Sequence, residues 1–130
     1  MVPTALELTR EGWQRYIEAH RRRSRFLDKL TDSERRTRER LLDRAREAAF
    51  LLKERFGVRR VILFGSLANE EWFRADSDVD VAVEGLAPED YWDAWRLVED
   101  IIQERPVDFV EIERAGESLR KVIERYGIEL

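Results

Sequence analysis

Apolar residues recur at helical spacing through Leu41, Ala45, Ala48, Ala49, Leu52 and Phe56, and the run stops at Gly57. Ahead of it, Thr31-Asp32-Ser33-Glu34 reads as a capping box, so a long helix is predicted to start there. The period then changes. Arg60-Val61-Ile62-Leu63-Phe64, lying between Gly57 and Gly65, is short, apolar and rich in β-branched residues, which predicts a buried strand. A second strand is expected at Val79–Glu84, closed by Gly85. Pro88 stands near the start of a further helix whose inner stripe is Tyr91, Ala94, Trp95, Val98, Ile101 and Ile102, and Pro106 ends it. Val107–Ile112 predicts a third strand, and Leu119, Val122, Ile123 and Tyr126 mark a last helix stopped by Gly127. Toward the N-terminus, Thr9 can cap a helix that runs through Trp13, Tyr16, Ile17 and His20 into Arg21-Arg22-Arg23-Ser24-Arg25 and ends near Leu30.

After the N-terminal arm the predicted order is α-β-loop-β-α-β-α, an α+β (α/β-like) arrangement with a mixed β-sheet of three to four strands covered by helices. We expect two parts, a helical arm over residues 1–30 and a domain over residues 31–130. The hydrophobic fraction of 43% is enough for a real core, and the charged fraction of 40% exceeds the roughly 25% of an average globular chain. Charge is unevenly spread: residues 1–60 carry 17 basic and 10 acidic side chains, residues 61–130 carry 7 and 18. There is no cysteine and one histidine, which excludes disulfides, thiol nucleophiles and Cys- or His-rich metal sites. No run approaches the roughly 18 apolar residues of a membrane span, and MVPTALELTREG lacks the apolar segment of a secretory signal. A cytoplasmic protein without a membrane partner is the expectation.

The chemistry concentrates in Asp78-Val79-Asp80-Val81-Ala82-Val83. The period of a strand sets the three valines on one face and both aspartates on the other, where they repel each other unless they share a cation. Paired hard oxygen ligands, completed by water and substrate phosphate, suit Mg²⁺. Gly65-Ser66 follows directly on the first predicted strand, at an edge where backbone N–H groups can meet an anion. Asp108 becomes a third carboxylate if the third strand lies beside the second. The bland alternatives are a solvated strand edge or a turn cap for Asp78 and Asp80, a surface position for Asp108, a turn serine for Ser66 and a local cap for Ser77.

Gly65-Ser66, eleven residues, then Asp78-Val79-Asp80, with Asp108 on a later strand, resembles the nucleotidyltransferase superfamily of DNA polymerase β type. Within it the chain is similar to the minimal nucleotidyltransferases, many of which are antitoxins paired with a HEPN-domain ribonuclease toxin. The likeness covers about residues 41–130 and leaves residues 1–30 outside. It implies the nucleotidyltransferase fold, with Asp78 and Asp80 holding two Mg²⁺ ions and Asp108 completing the ion that activates the acceptor. It also implies Gly65 and Ser66, with Ser77 nearby, on the phosphates of ATP. Two cations roughly 3.5–4 Å apart stabilise the entering and leaving oxygens of an in-line displacement at phosphorus. Many such proteins continue the loop as GSxARG, whereas this chain reads Gly65-Ser66-Leu67-Ala68-Asn69-Glu70, which removes a cation and adds an anion.

The resemblance therefore implies transfer of AMP from ATP to a hydroxyl, a tyrosine of a HEPN toxin, by an antitoxin. Two rivals stand beside it. One is an antitoxin that acts by contact alone, favoured by Asn69-Glu70. The other is a small-molecule (antibiotic) nucleotidyltransferase, disfavoured because such enzymes carry a further helical domain for the drug. Trp72-Phe73 is expected to anchor its loop on the core, and Trp92 to flank the core stripe or form a partner surface. His20 reads as an exposed helix residue. Arg21–Arg25 can bind RNA or an acidic partner, although most charge runs are solvated faces. Oligomeric state is left open.

Overall fold

In a computed structural model, residues 30–130 are described; the predicted arm over residues 1–30, apart from Leu30, lies outside them. Leu30 packs against the core. The first helix, α1, is Asp32–Phe56. Its capping box forms as the sequence predicts: the Glu34 amide donates to Thr31 Oγ1 and the Thr31 amide to Glu34 Oε1, each at 3.1 Å. Gly57 ends it at φ 66°, a left-handed conformation that costs glycine little.

Four strands follow: β1 (Arg60–Phe64), β2 (Val79–Glu84), β3 (Val107–Glu111) and β4 (Ile128–Glu129). The helix α2 (Tyr91–Ile102) connects β2 to β3, and α3 (Glu117–Tyr126) precedes β4. Sheet order is β3-β2-β1-β4. β1 pairs antiparallel with β2 and β4, and β2 pairs parallel with β3 through the α2 crossover, so the sheet is mixed as expected. Two boundaries differ from the sequence prediction, and β2 keeps its predicted bounds. Pro88 opens a 3₁₀ turn (Pro88–Asp90) ahead of α2, and Ile112 leaves β3 for another 3₁₀ turn, while Asp78 stands just before β2 as predicted. Two residues after Gly127 were too few to show a period, yet they form β4.

The alternation of each strand divides the core. Val79, Val81 and Val83 pack with Val61, Leu63, Val107, Phe109 and the inner faces of α1 and α2. Ile62, Phe64, Ala82 and Val110 pack with Leu119 and Ile123 of α3 on the opposite face. Asp80 and Asp108 share strand parity with this second set. Along the outer edge of β3, the Tyr91 hydroxyl donates to the Phe109 carbonyl at 2.9 Å and Trp95 Nε1 to the Val107 carbonyl at 3.1 Å. Those two bonds take up carbonyls that an edge strand would otherwise offer to another chain.

Candidate active site

β1 delivers Gly65 to the end of the sheet at φ 76° and ψ −158°, a conformation restricted in practice to glycine. The reason lies across the β1–β2 pair, where Phe64 is opposite Asp80. A Cβ on Gly65 would stand 2.1 Å from Asp80 Oδ2, so the backbone is bare because a carboxylate occupies that space. Ser66 follows, buried, at the head of the 3₁₀ turn Ser66–Ala68.

Asp80 is buried, with 7% of its surface exposed, which removes the solvated-edge alternative for this residue. The parallel register places Asp108 directly opposite it. Burial first, then the charge of Asp108, a hydrogen bond to the Asp108 side chain and the charge of Asp78 push the Asp80 carboxyl well above the ordinary aspartate range. Asp78, half-buried at the entry to β2, is raised by burial and by Asp108 and Asp76, with Arg105 opposing. The three predicted aspartates thus gather at one end of the sheet. Among the described residues, no three acidic side chains stand close enough to form a ready-made metal cage.

The donor set nonetheless fits a divalent cation. Hard carboxylate oxygens, with Asp78 and Asp80 both held above the ordinary aspartate range by burial and by the charge of Asp108, are the arrangement that a bound cation would relieve. Asp78, Asp80 and Asp108 are the residues able to hold it.

The loop between the motifs is anchored from within. Trp72 and Phe73 are buried, their amides donate to the Asn69 carbonyl at 2.9 and 3.1 Å, and the Trp72 ring lies 5.5 Å from that of Tyr126. The expectation that this pair anchors the loop agrees with the structure. Ser77 closes the loop: its hydroxyl accepts from the Arg74 amide at 2.8 Å and its own amide donates to the Arg74 carbonyl at 3.0 Å. Asn69 Oδ1 accepts from the Glu71 amide at 3.0 Å. Glu70, the unfavourable anion of the loop, lies 3.7 Å from Arg35, and Arg38 donates to the Leu67 carbonyl beside it at 3.1 Å. Cations of α1 thus stand next to the turn Ser66–Glu70, which has none of its own.

Sequence reasoning missed Arg105. It donates through Nη1 to the Glu104 carbonyl at 2.9 Å and through Nη2 to the Ala75 carbonyl, so it spans from the start of β3 to the loop that carries Asp78. A lone arginine beside a helix-ending proline carries no periodic or motif signal; only its place three residues before Asp108 hints at the site.

Residues 45–130 match the nucleotidyltransferase domain family. A structure described as a minimal nucleotidyltransferase is 34% identical over 68% of this chain and 92% of its own, with a TM-score of 0.57. A toxin–antitoxin crystal structure with AMP-PNP is 22% identical over 65% of this chain and 70% of that one, with a TM-score of 0.55. The MntA–HepT toxin–antitoxin structure is 20% identical over 68% and 69%, with a TM-score of 0.52. At the last two identities the likeness is one of fold. Of curated proteins, none matches the chain.

Proposed function

The chain belongs to the nucleotidyltransferase domain family, and from that premise we propose that it transfers AMP from ATP to a hydroxyl, a tyrosine on a HEPN-type ribonuclease toxin, which the transfer silences. The observation that carries this reading is the register of β2 against β3, which sets Asp108 opposite Asp80 with Asp78 at the same end, against the bare backbone of Gly65. Mg²⁺ bound by these carboxylates would neutralise the charge that builds on the phosphates during displacement. Asp78 and Asp80 hold the triphosphate side, and Gly65 and Ser66, with Ser77 behind them, shape the wall against the β and γ phosphates. The acceptor hydroxyl oxygen forms a bond to the α-phosphorus as the bond to the β-phosphate oxygen breaks and pyrophosphate leaves. Asp108 takes up the hydroxyl proton.

Residues 31–130 are the transferase domain in this reading, and residues 1–30 a basic arm that docks the partner in the cytoplasm. Labelled ATP, Mg²⁺ and the product of the neighbouring gene should yield labelled partner. No label with Mg²⁺, Mn²⁺ or Co²⁺ sinks the catalytic proposal.

A second reading, an antitoxin acting by contact, is favoured by Asn69-Glu70, where related loops carry a cation. If Asp78→Asn with Asp80→Asn still protects cells from the partner, contact and not transfer is the mechanism. The antibiotic-modifying alternative is tested by resistance of an expressing strain, and no feature of the site favours it.

A further inference from the structure

The turn joining α2 to β3 is strained. Gln103 has φ 58° and ψ −51°, and the Glu104 amide donates back to the Ile102 carbonyl at 2.6 Å, which is the disfavoured form of the γ-turn. Such a conformation persists only where its surroundings over-determine it. Here α1 does so. Arg40 donates twice to the Glu104 carboxylate, at 2.7 Å each. Arg44 donates to the same carboxylate at 2.6 Å and to the Ile102 carbonyl at 3.0 Å. With Glu104 gripped from behind, the next residue is thrown forward: Arg105 reaches across to the Ala75 carbonyl, three residues before Asp78, while β3 begins two residues later and carries Asp108. Arg105 Nε is buried and without a hydrogen-bond partner, so the side chain is held there although one donor is wasted.

We propose that Arg105 is a positioning residue, a clasp that fixes the loop bearing Asp78 to the strand bearing Asp108 and so sets the spacing of the aspartates across the site. This rests on the metal-binding reading above. Its opposition to the negative charge on Asp78 is consistent with that place but is not what the clasp depends on. The bond to Ala75 uses a backbone carbonyl, so it constrains where the loop sits whatever side chains the loop carries.

Charge and position make opposite predictions, which gives the test its edge. Removing a cation beside carboxylates should by charge alone tighten a divalent ion; loosening the carboxylates should weaken it. Mn²⁺ alone is titrated into the full chain and followed by electron paramagnetic resonance, with amide hydrogen exchange measured in parallel. Arg105→Gln should weaken Mn²⁺ about tenfold or more, the usual scale for a lost supporting contact. It should also speed exchange of the amides of residues 75–78 while those of α1 and β1 keep their rates. Arg105→Lys keeps the charge but cannot reach both carbonyls, and should fall between; it also decides the matter if the glutamine variant does not fold. Unchanged or tighter Mn²⁺ binding overturns the proposal, as does faster exchange spread equally through α1 and β1. Failure of the unaltered chain to bind Mn²⁺ would instead overturn the functional reading, and exchange at residues 75–78 would still decide the clasp.

Discussion

Replacing Gly65 by alanine introduces one methyl group and strains the site twice. The backbone at φ 76° and ψ −158° lies in a region that costs a residue with a Cβ about 1–3 kcal/mol. The new Cβ would also stand 2.1 Å from Asp80 Oδ2, where ordinary contact begins near 3.4 Å, so the carboxylate must retreat by about 1.3 Å inside a packed environment. Overpacking of that kind adds about 1–3 kcal/mol, for a combined loss of roughly 2–6 kcal/mol. Urea denaturation of the metal-free chain should show this as a lower midpoint. In an Asp80→Ala background the second cost disappears and the first remains, so the substitution at Gly65 should then be milder by about 1–3 kcal/mol. A displacement of this size at a reacting centre should also cut transfer activity by about a hundredfold. If Gly65→Ala costs the same in both backgrounds, or less than about 1 kcal/mol in either, the contact between this backbone and Asp80 does not explain the glycine.

Without metal, stability should fall as pH rises. The Asp80 carboxyl, raised by burial and by Asp108, holds its proton in the folded state above the pH near 4 where the unfolded chain releases it. Its contribution is therefore present at low pH and lost on passing upward through the folded value; Asp80→Asn should flatten the urea midpoint between pH 4 and 8 in EDTA, and an equally steep profile in the variant would count against it. Tyr91→Phe should cost about 1 kcal/mol by releasing the Phe109 carbonyl, and together with Trp95→Phe should open the edge of β3 to association. Light scattering of the double variant would detect it, and a monodisperse sample would show that the edge needs no such cover. Removing residues 1–29 should weaken binding to the partner while leaving Mn²⁺ affinity unchanged; equal partner affinity would deny the arm its docking role.

Elements with a long or strict period were legible from residues alone. The capping box at Thr31, the stop at Gly57 and the bounds of β2 are local chemistry, and they emerge where the pattern sets them. The site was half legible. Period two placed Asp80 on a face opposite the valines, but its burial depends on how β1 and β3 flank β2, and the register that sets Asp108 beside it is a tertiary fact. Gly65 was recognisable as a turn glycine, whereas the carboxylate that makes glycine necessary comes from another strand. β4 was hidden because two residues have no period, and Arg105 because its role depends on a carbonyl thirty residues earlier in the chain.

The uneven charge of the chain also acquires a physical use. Among the described residues, the long-range ion pairs Arg35–Glu70, Arg40–Glu104, Arg44–Glu104, Arg59–Glu84, Arg59–Glu113, Arg60–Glu84, Arg60–Glu124 and Arg60–Glu129 each join an arginine of the basic half to a glutamate of the acidic half. Arg60 alone binds β1 to β2, α3 and β4 through three carboxylates, and α1 holds the strained turn before β3 through two arginines on Glu104. Most of these groups are partly exposed, where an ion pair adds little net stability. What they determine is which element lies against which. The pairs on Glu104 end one residue from Arg105, and the Arg35 contact ends on the loop after Gly65-Ser66, so the basic half acts on the site by fixing the segments that present its aspartates. Arg21–Arg25 lies outside the described residues, and the deletion of residues 1–29 tests the docking role proposed for it separately from this one.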